Sequence, residues 1–248
     1  MVGVGFSIND IMEDVLSEID VINIENPLYP NYLNGNYHTD VEVFLKKDYG
    51  KTIITDGSYI DLNPGTPEKA IKEVVKKKVQ QSIDFALSVK SDEIIFLSTF
   101  LPIIGVSFYD IGHIENSVLF WKEIMTVNKD IKISLCNTFE YNPNILLEIM
   151  KGVDCDSFGL AFDVGHAFAY GNITLIEFFE KMEPYCASVY LHSNRKNADE
   201  HLSIFEGDLL ESGQLKDVIP LLRDKNIILK PFDKTKIREN VRILKQML

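Results

Sequence analysis

The sequence predicts an α/β fold, a (β/α)8 TIM barrel formed by a single domain over residues 1–248. Three observations carry that prediction. Eight short apolar runs punctuate the chain, with amphipathic helical patterns between them. The runs are continuous rather than alternating, as parallel strands covered on both faces require. Eight βα units in 248 residues match the usual size of such a barrel.

The strands are expected at Val2–Phe6, Val21–Glu25, Thr52–Asp56, Glu93–Leu97, Lys132–Asn137, Gly159–Asp163, Ser188–His192 and Ile227–Lys230. Helices are expected at Ile8–Glu18, Thr66–Val89, Asn116–Val127, Pro143–Met150, Thr174–Met182, Gln214–Asp224 and Lys234–Leu248. In the second of these, Thr66 suits an N-cap and Pro67 the first helical position. Its Ala70, Val74, Val75, Ile83 and Leu87 recur near a 3.6-residue period. Segment Thr39–Lys46 is ambiguous, because Val41, Val43 and Leu45 alternate as in a strand. Ser98–Glu115 reads as a long loop carrying Phe108 and Tyr109 over the mouth. An open doubly wound sheet is disfavoured, since Gly3-Val4-Gly5 lacks the third glycine of a phosphate-binding turn.

Apolar residues make up 46% and charged residues 25%, ordinary for a globular chain. No apolar run approaches the roughly 18 residues of a membrane span. The amino terminus lacks the basic and apolar regions of a signal peptide, so a cytoplasmic location without membrane contact is expected. The net charge of −12 argues against long nucleic acid as a partner and for a small-molecule substrate. Lys76-Lys77-Lys78 reads as a solvated helix face, and three cysteines without CxxC spacing form no disulfide framework.

The polar residues that break the pattern fall at strand ends, where such barrels carry their active sites. FGLAFDVGHAFAYG (Phe158–Gly171) ends an apolar run in Asp163, with His166 three residues on. A second run opens into His192 and then NADEHL, holding Asp199 and His201. Asp163 alone suits a helix cap and DEH alone a solvated loop. Together at neighbouring strand ends they form a ligand set for zinc, manganese or iron. Cys136 is a further thiolate candidate beside its alternative as a buried neutral thiol. His38 and His113 lack acid partners at ligand spacing and read as surface residues.

At these residues the chain resembles the xylose-isomerase-like barrel superfamily, which includes endonuclease IV (AP endonuclease family 2) and many sugar isomerases and epimerases. The resembling segments are DGSYIDLNPGTPEKAIKE, CNTFEYNPN, FDVGHAFAYG and LHSNRKNADEHLSIFEGDLL. In multi-metal members, ligands come from nearly every strand end. The resemblance carries Asp163, His166, Asp199 and His201 over as matches. It lets the remaining positions fall on Asp56, Leu97, Cys136, Tyr190 (with His192 as a substitute) and Lys230. Leu97 binds no metal, and Lys230 sets a cation where a second ion would sit. One site is implied: His166, Asp199 and His201, with Cys136 as a further candidate. Asp163, His192 and Lys230 are the expected catalytic side chains.

The resemblance implies that the isomerases and epimerases carry a pair of glutamates at the positions of Cys136 and Lys230, and their loss here weakens proton transfer next to a carbonyl and favours hydrolysis. The expected activity is a metal-dependent phosphodiesterase acting on a small nucleotide-like substrate. One branch of the superfamily hydrolyses the nucleotide loop of cobamides in corrinoid salvage, and the chain is similar to it in length, charge and incomplete ligand set. A sugar (phosphate) isomerase or epimerase, or a non-catalytic barrel that binds a small ligand, are the alternatives.

Overall fold

A computed structural model describes all 248 residues. Eight parallel strands close a barrel in sequence order, with β8 pairing back to β1. They are β1 Val2–Phe6, β2 Val21–Ile24, β3 Thr52–Asp56, β4 Glu93–Leu97, β5 Lys132–Cys136, β6 Phe158–Asp163, β7 Cys186–Leu191 and β8 Asn226–Leu229. The expected (β/α)8 TIM barrel is what forms, and each strand lies within two residues of its expected bounds. No helix is long and apolar enough to cross a membrane.

The two-residue period of a strand divides the side chains between two environments. Ile22, Ile53, Ile94, Ile133, Leu160, Val189 and Ile227 belong to the main core beneath the helices. Val21, Ile54, Ile95, Cys136, Ala161, Tyr190 and Ile228 form a separate apolar layer within the barrel. Below it, Glu93 on β4 accepts from Ser134 on β5 and Ser188 on β7. Because β4 and β7 are not neighbours, Glu93 reaches Ser188 across the interior. Two residues beyond the apolar layer come Asn23, Asp56, Asp163, His192 and Lys230, all buried. One strand step thus lifts the interior from hydrocarbon to polar groups, and these face the mouth.

The helices depart from expectation at identifiable places. His38–Leu45 is helical and buries Val41 and Phe44, a three-residue spacing that overrides the alternation. The helix expected at Ile8–Glu18 shrinks to Glu13–Leu16. The next expected helix begins at Lys69, and Glu68 rather than Thr66 caps it by accepting from Ala70 N. Its buried face runs through Val75, Val79, Ile83 and Ala86, while Val74 and Leu87 turn to solvent. Ser107–Val127 is one helix, so Phe108 and Tyr109 lie on its first turn and not in a loop. His113, expected at the surface, is buried on that helix. It packs against Phe100 and Tyr109 in space that a side chain at Gly65 would fill. Helix Gln214–Val218 tightens into a 3-10 turn over Ile219–Leu222, where Pro220 offers no N–H.

Candidate metal centre

Asp163 ends β6 and caps the helix Val164–Tyr170, its Oδ1 accepting from His166 N at 2.8 Å. The cap fixes His166 on the first turn, with its ring over the barrel mouth. Asn137, just beyond β5, pairs its side chain with the backbone of Asp163: Oδ1 accepts from Asp163 N at 2.7 Å and Nδ2 donates to Asp163 O at 2.9 Å. An amide side chain thus continues the sheet where the strand ends.

His192 follows β7. The chain then loops out and returns through an antiparallel bridge between Ser193 and Leu202. The return sets His201 against His192, their rings 3.7 Å apart and within 4° of parallel. His201 has φ +48° and Asn197 φ +65°, the left-handed region that strains side-chain-bearing residues. Asn194 holds this backbone. Its Oδ1 accepts from Glu200 N at 2.7 Å and His201 N at 2.9 Å, while Nδ2 donates to Gly165 O at 3.0 Å. Gly165 is required, because a Cβ there would collide with the His192 ring.

The loops bring one donor atom each from His166, His192, Asp199 and His201 within 4.8 Å of one another. The expected ligands His166, Asp199 and His201 thus meet, and His192, expected in catalysis, stands among them. Cys136 does not. It lies in the apolar layer below, where burial and the nearby Asp163 carboxylate push its thiol well up from the usual range. A neutral packed thiol, rather than a thiolate ligand, is what that environment favours.

The ring nitrogens test whether a metal suits this cluster. His201 Nδ1 lies 2.7 Å from Lys230 O, a carbonyl that takes its proton and leaves Nε2 as a lone pair. His166 Nδ1 lies 3.3 Å from Asn137 O and 3.2 Å from Asp163 Oδ2, which leaves its Nε2 in the same state. That atom is buried without a hydrogen-bond partner, 3.2 Å from Asp199 Oδ2. His201 Nε2 lies 3.4 Å from Asp199 Oδ1. Both His192 nitrogens are likewise unpartnered; Nε2 is 3.0 Å from Asp163 Oδ1 but off the line a hydrogen bond needs. Lone pairs facing lone pairs in a buried site are what a divalent cation would reconcile. Without one, burial opposes a charged His166, yet the carboxylates of Asp163 and Asp199 overcome this and raise it to about 9. Burial lifts Asp163, but the imidazoles of His166 and His192 outweigh it and hold the carboxyl well below its ordinary range. Asp163 is therefore a poor proton acceptor, and its position suits orienting the histidines.

The opposite wall belongs to Lys230. Its Nζ donates to Asp56 Oδ2 at 2.6 Å and Asn23 Oδ1 at 2.9 Å and lies 2.9 Å from Glu25 Oε1. It also sits 4.7 Å over the Tyr190 ring, whose hydroxyl donates to Asp56 Oδ1. The ammonium is fully engaged, so it is not free to act as the catalytic side chain expected of it. Lys234, at the rim, donates to Gly5 O at 2.8 Å and to Glu25 Oε1 at 3.4 Å and is about one-third exposed. Between the walls lies a cavity of about 230 Å³ rimmed by Tyr29, Tyr59, Phe139 and Phe232. Asn23 and Glu25 escaped sequence reasoning, with the polar ending of VINIE their only signal, whereas Asn137 and Asn194 fall in strand-end segments that it singled out without assigning them these roles.

Comparison with known proteins agrees with this architecture. The profile of the xylose isomerase-like TIM barrel family, of the AP endonuclease 2 group, matches residues 39–247. The chain belongs to that family, whose members are enzymes, epimerases and an endonuclease among them. An uncharacterized protein of Methanocaldococcus jannaschii, MJ1311, is 29% identical over 176 residues, 66% of this chain and 59% of that one. The matched stretch thus spans about three-fifths of the relative. Among solved structures, a D-tagatose 3-epimerase-like protein is 25% identical with a TM-score of 0.79, covering 99% of this chain and 96% of its own. The TTHB071 protein of Thermus thermophilus, solved after soaking with ZnCl2, has a TM-score of 0.75 at 14% identity, covering 99% and 97%. Endonuclease IV of the same organism has 0.70 at 16%, covering 99% and 98%. The last two likenesses show the fold alone.

Proposed function

We propose that this protein is a metal-dependent hydrolase with one exchangeable divalent ion, cleaving a phosphodiester in a small nucleotide-like substrate. The convergence of His166, His192, Asp199 and His201 with unpartnered buried ring nitrogens carries this reading. A divalent ion there would polarise a substrate oxygen and acidify a water. The chain's residues do the rest. Asp163 and Asn137 orient His166, the Lys230 carbonyl orients His201, and Lys234, paired with Glu25, is the partly exposed cation at the rim. A cavity of about 230 Å³ admits a phosphodiester and its sugar but no large macrocycle. Any such portion of a cobamide would rest outside, on the exposed rings of Tyr29 and Phe232. The nucleotide loop of a corrinoid therefore remains the candidate substrate.

The second reading is a sugar isomerase or epimerase, favoured by the D-tagatose 3-epimerase-like relative. It requires a cavity carboxylate able to accept a proton. Burial raises Glu25, but Lys230 and Lys234 together hold it down to about 2, so it is a weak base. Asp56 is fully hydrogen-bonded. The test is metal analysis of the purified protein followed by assays with Zn2+, Mn2+ and Fe2+. One ion per chain with cleavage of an adenosylated cobamide or bis(p-nitrophenyl) phosphate is expected. Deuterium exchange from solvent into D-tagatose without ester cleavage would overturn the hydrolase in favour of the isomerase. Absence of bound metal would overturn both.

A further inference from the structure

The carboxylates of the cavity stand in two pairs. Asp163 and Asp199 lie among the histidines, and Glu25 and Asp56 lie on the opposite wall around Lys230. We infer that the cavity is a two-cation site in which one cation is exchangeable and the other, the Lys230 ammonium, is tethered to the chain. The inference rests on the metal-centre reading above and adds to it what fixes the number of ions.

An ammonium has three N–H donors. Here Nζ donates to Asp56 Oδ2 at 2.6 Å and Asn23 Oδ1 at 2.9 Å, and Glu25 Oε1 lies 2.9 Å away as an ion-pair partner. Two carboxylate oxygens and an amide oxygen around one point are the donor set of a hard cation. The cage is built for that closeness. Gly5 on β1 leaves the space, since a Cβ there would collide with the Glu25 carboxylate and lie 3.1 Å from Lys230 Cδ. Asn23 Nδ2 and the Tyr190 hydroxyl hold Asp56 Oδ1, turning Oδ2 toward the ammonium. The side chain of Lys230 is 7% exposed and that of Asp56 1%, so water does not compensate either charge. The Lys230 carbonyl also receives His201 Nδ1, so a single residue shapes both cation positions. A covalent cation remains at every metal concentration and repels a second ion. The centre is thereby held to one exchangeable metal.

Removing the side chain beyond Cβ deletes the equivalent of propylammonium, leaves the buried Asp56 carboxylate uncompensated and leaves Glu25 with Lys234 alone. The test compares wild type, Lys230→Ala, Lys230→Met and Lys230→Ala/Asp56→Asn by equilibrium dialysis with Mn2+ and by thermal melting. Wild type should bind one ion, Lys230→Ala two, and the double variant one. Lys230→Ala should melt higher in Mn2+ or propylammonium chloride than in tetramethylammonium chloride of equal ionic strength. Lys230→Met fills the space without a charge and should gain nothing from the amine. Should Lys230→Ala fold only when propylammonium or Mn2+ is supplied, the inference stands. One ion in Lys230→Ala with no preference among the salts, or failure to fold in all of them, overturns it. No ion in wild type overturns the metal-centre reading instead, a result the amine-dependent melting keeps distinct.

Discussion

Asn194→Ala should weaken metal binding although Asn194 is not in the ligand set. The side chain is fully buried and spans the two loops that carry the ligands. Its loss orphans Glu200 N, His201 N and Gly165 O, formerly bonded at 2.7, 2.9 and 3.0 Å. An unsatisfied buried group costs about 1–3 kcal/mol. The 200–201 amides lie partly toward solvent, so the lower bound applies and the three together cost about 3 kcal/mol. Much of that loss falls on a backbone already strained at Asn197 and His201, which is then free to relax. Removal of such an outer support lowers metal affinity by about 10- to 100-fold. The assay is competition for Zn2+ against a chromophoric chelator, with the Co2+ absorption spectrum recording ligand geometry. Asn194→Asp keeps the acceptor oxygen and should recover part of the affinity. Asn240→Ala is the control. That buried asparagine holds Ile204 N at 2.8 Å and bonds Ser203 Oγ and Lys236 O, three bonds at the edge of the same loop. It should lower the melting temperature without changing affinity or spectrum. Equal affinity losses in both variants, or none in Asn194→Ala, would refute the clamp.

Two other outcomes follow from the packing. Cys136→Ala should leave the metal stoichiometry unchanged and cost about 1 kcal/mol of stability, as small core truncations do; a lost ion in dialysis would make Cys136 a ligand after all. Burial lowers His113 to about 4 from an ordinary 6.5, so the unfolded chain binds the proton more readily between those values. Its contribution to stability is therefore full above pH 6.5 and declines as pH falls toward 4. His113→Gln should flatten the denaturant-midpoint profile in that window, and an unchanged slope would remove His113 as its source.

Much of the barrel was legible because strands buried on both faces leave little freedom in composition. TIITD and EIIFL can hardly be anything else, and they occupy their expected positions. The metal cluster was legible in part for a related reason: Asp163 and His192 lie just past apolar runs, where a barrel exposes its polar groups. What escaped were relations that sequence distance hides. Lys230 and its partner Asn23 stand 207 residues apart, so nothing local reveals that the ammonium is saturated. Cys136 was a ligand candidate because the resemblance sets a strand-end ligand position on it, yet it lies within the apolar layer. His113 looked exposed because the space it fills is made by Gly65, on another loop.

The ring of His201 is sandwiched between His192 and Phe232, which stacks on it at 4.3 Å and 13°. Phe232 is 69% exposed. On that side the ligating imidazole is thus screened from bulk water by the thickness of one phenyl group. Whatever settles on its outer face completes the insulation, so the polarity of the innermost chamber is governed by the visitor as well as by the protein.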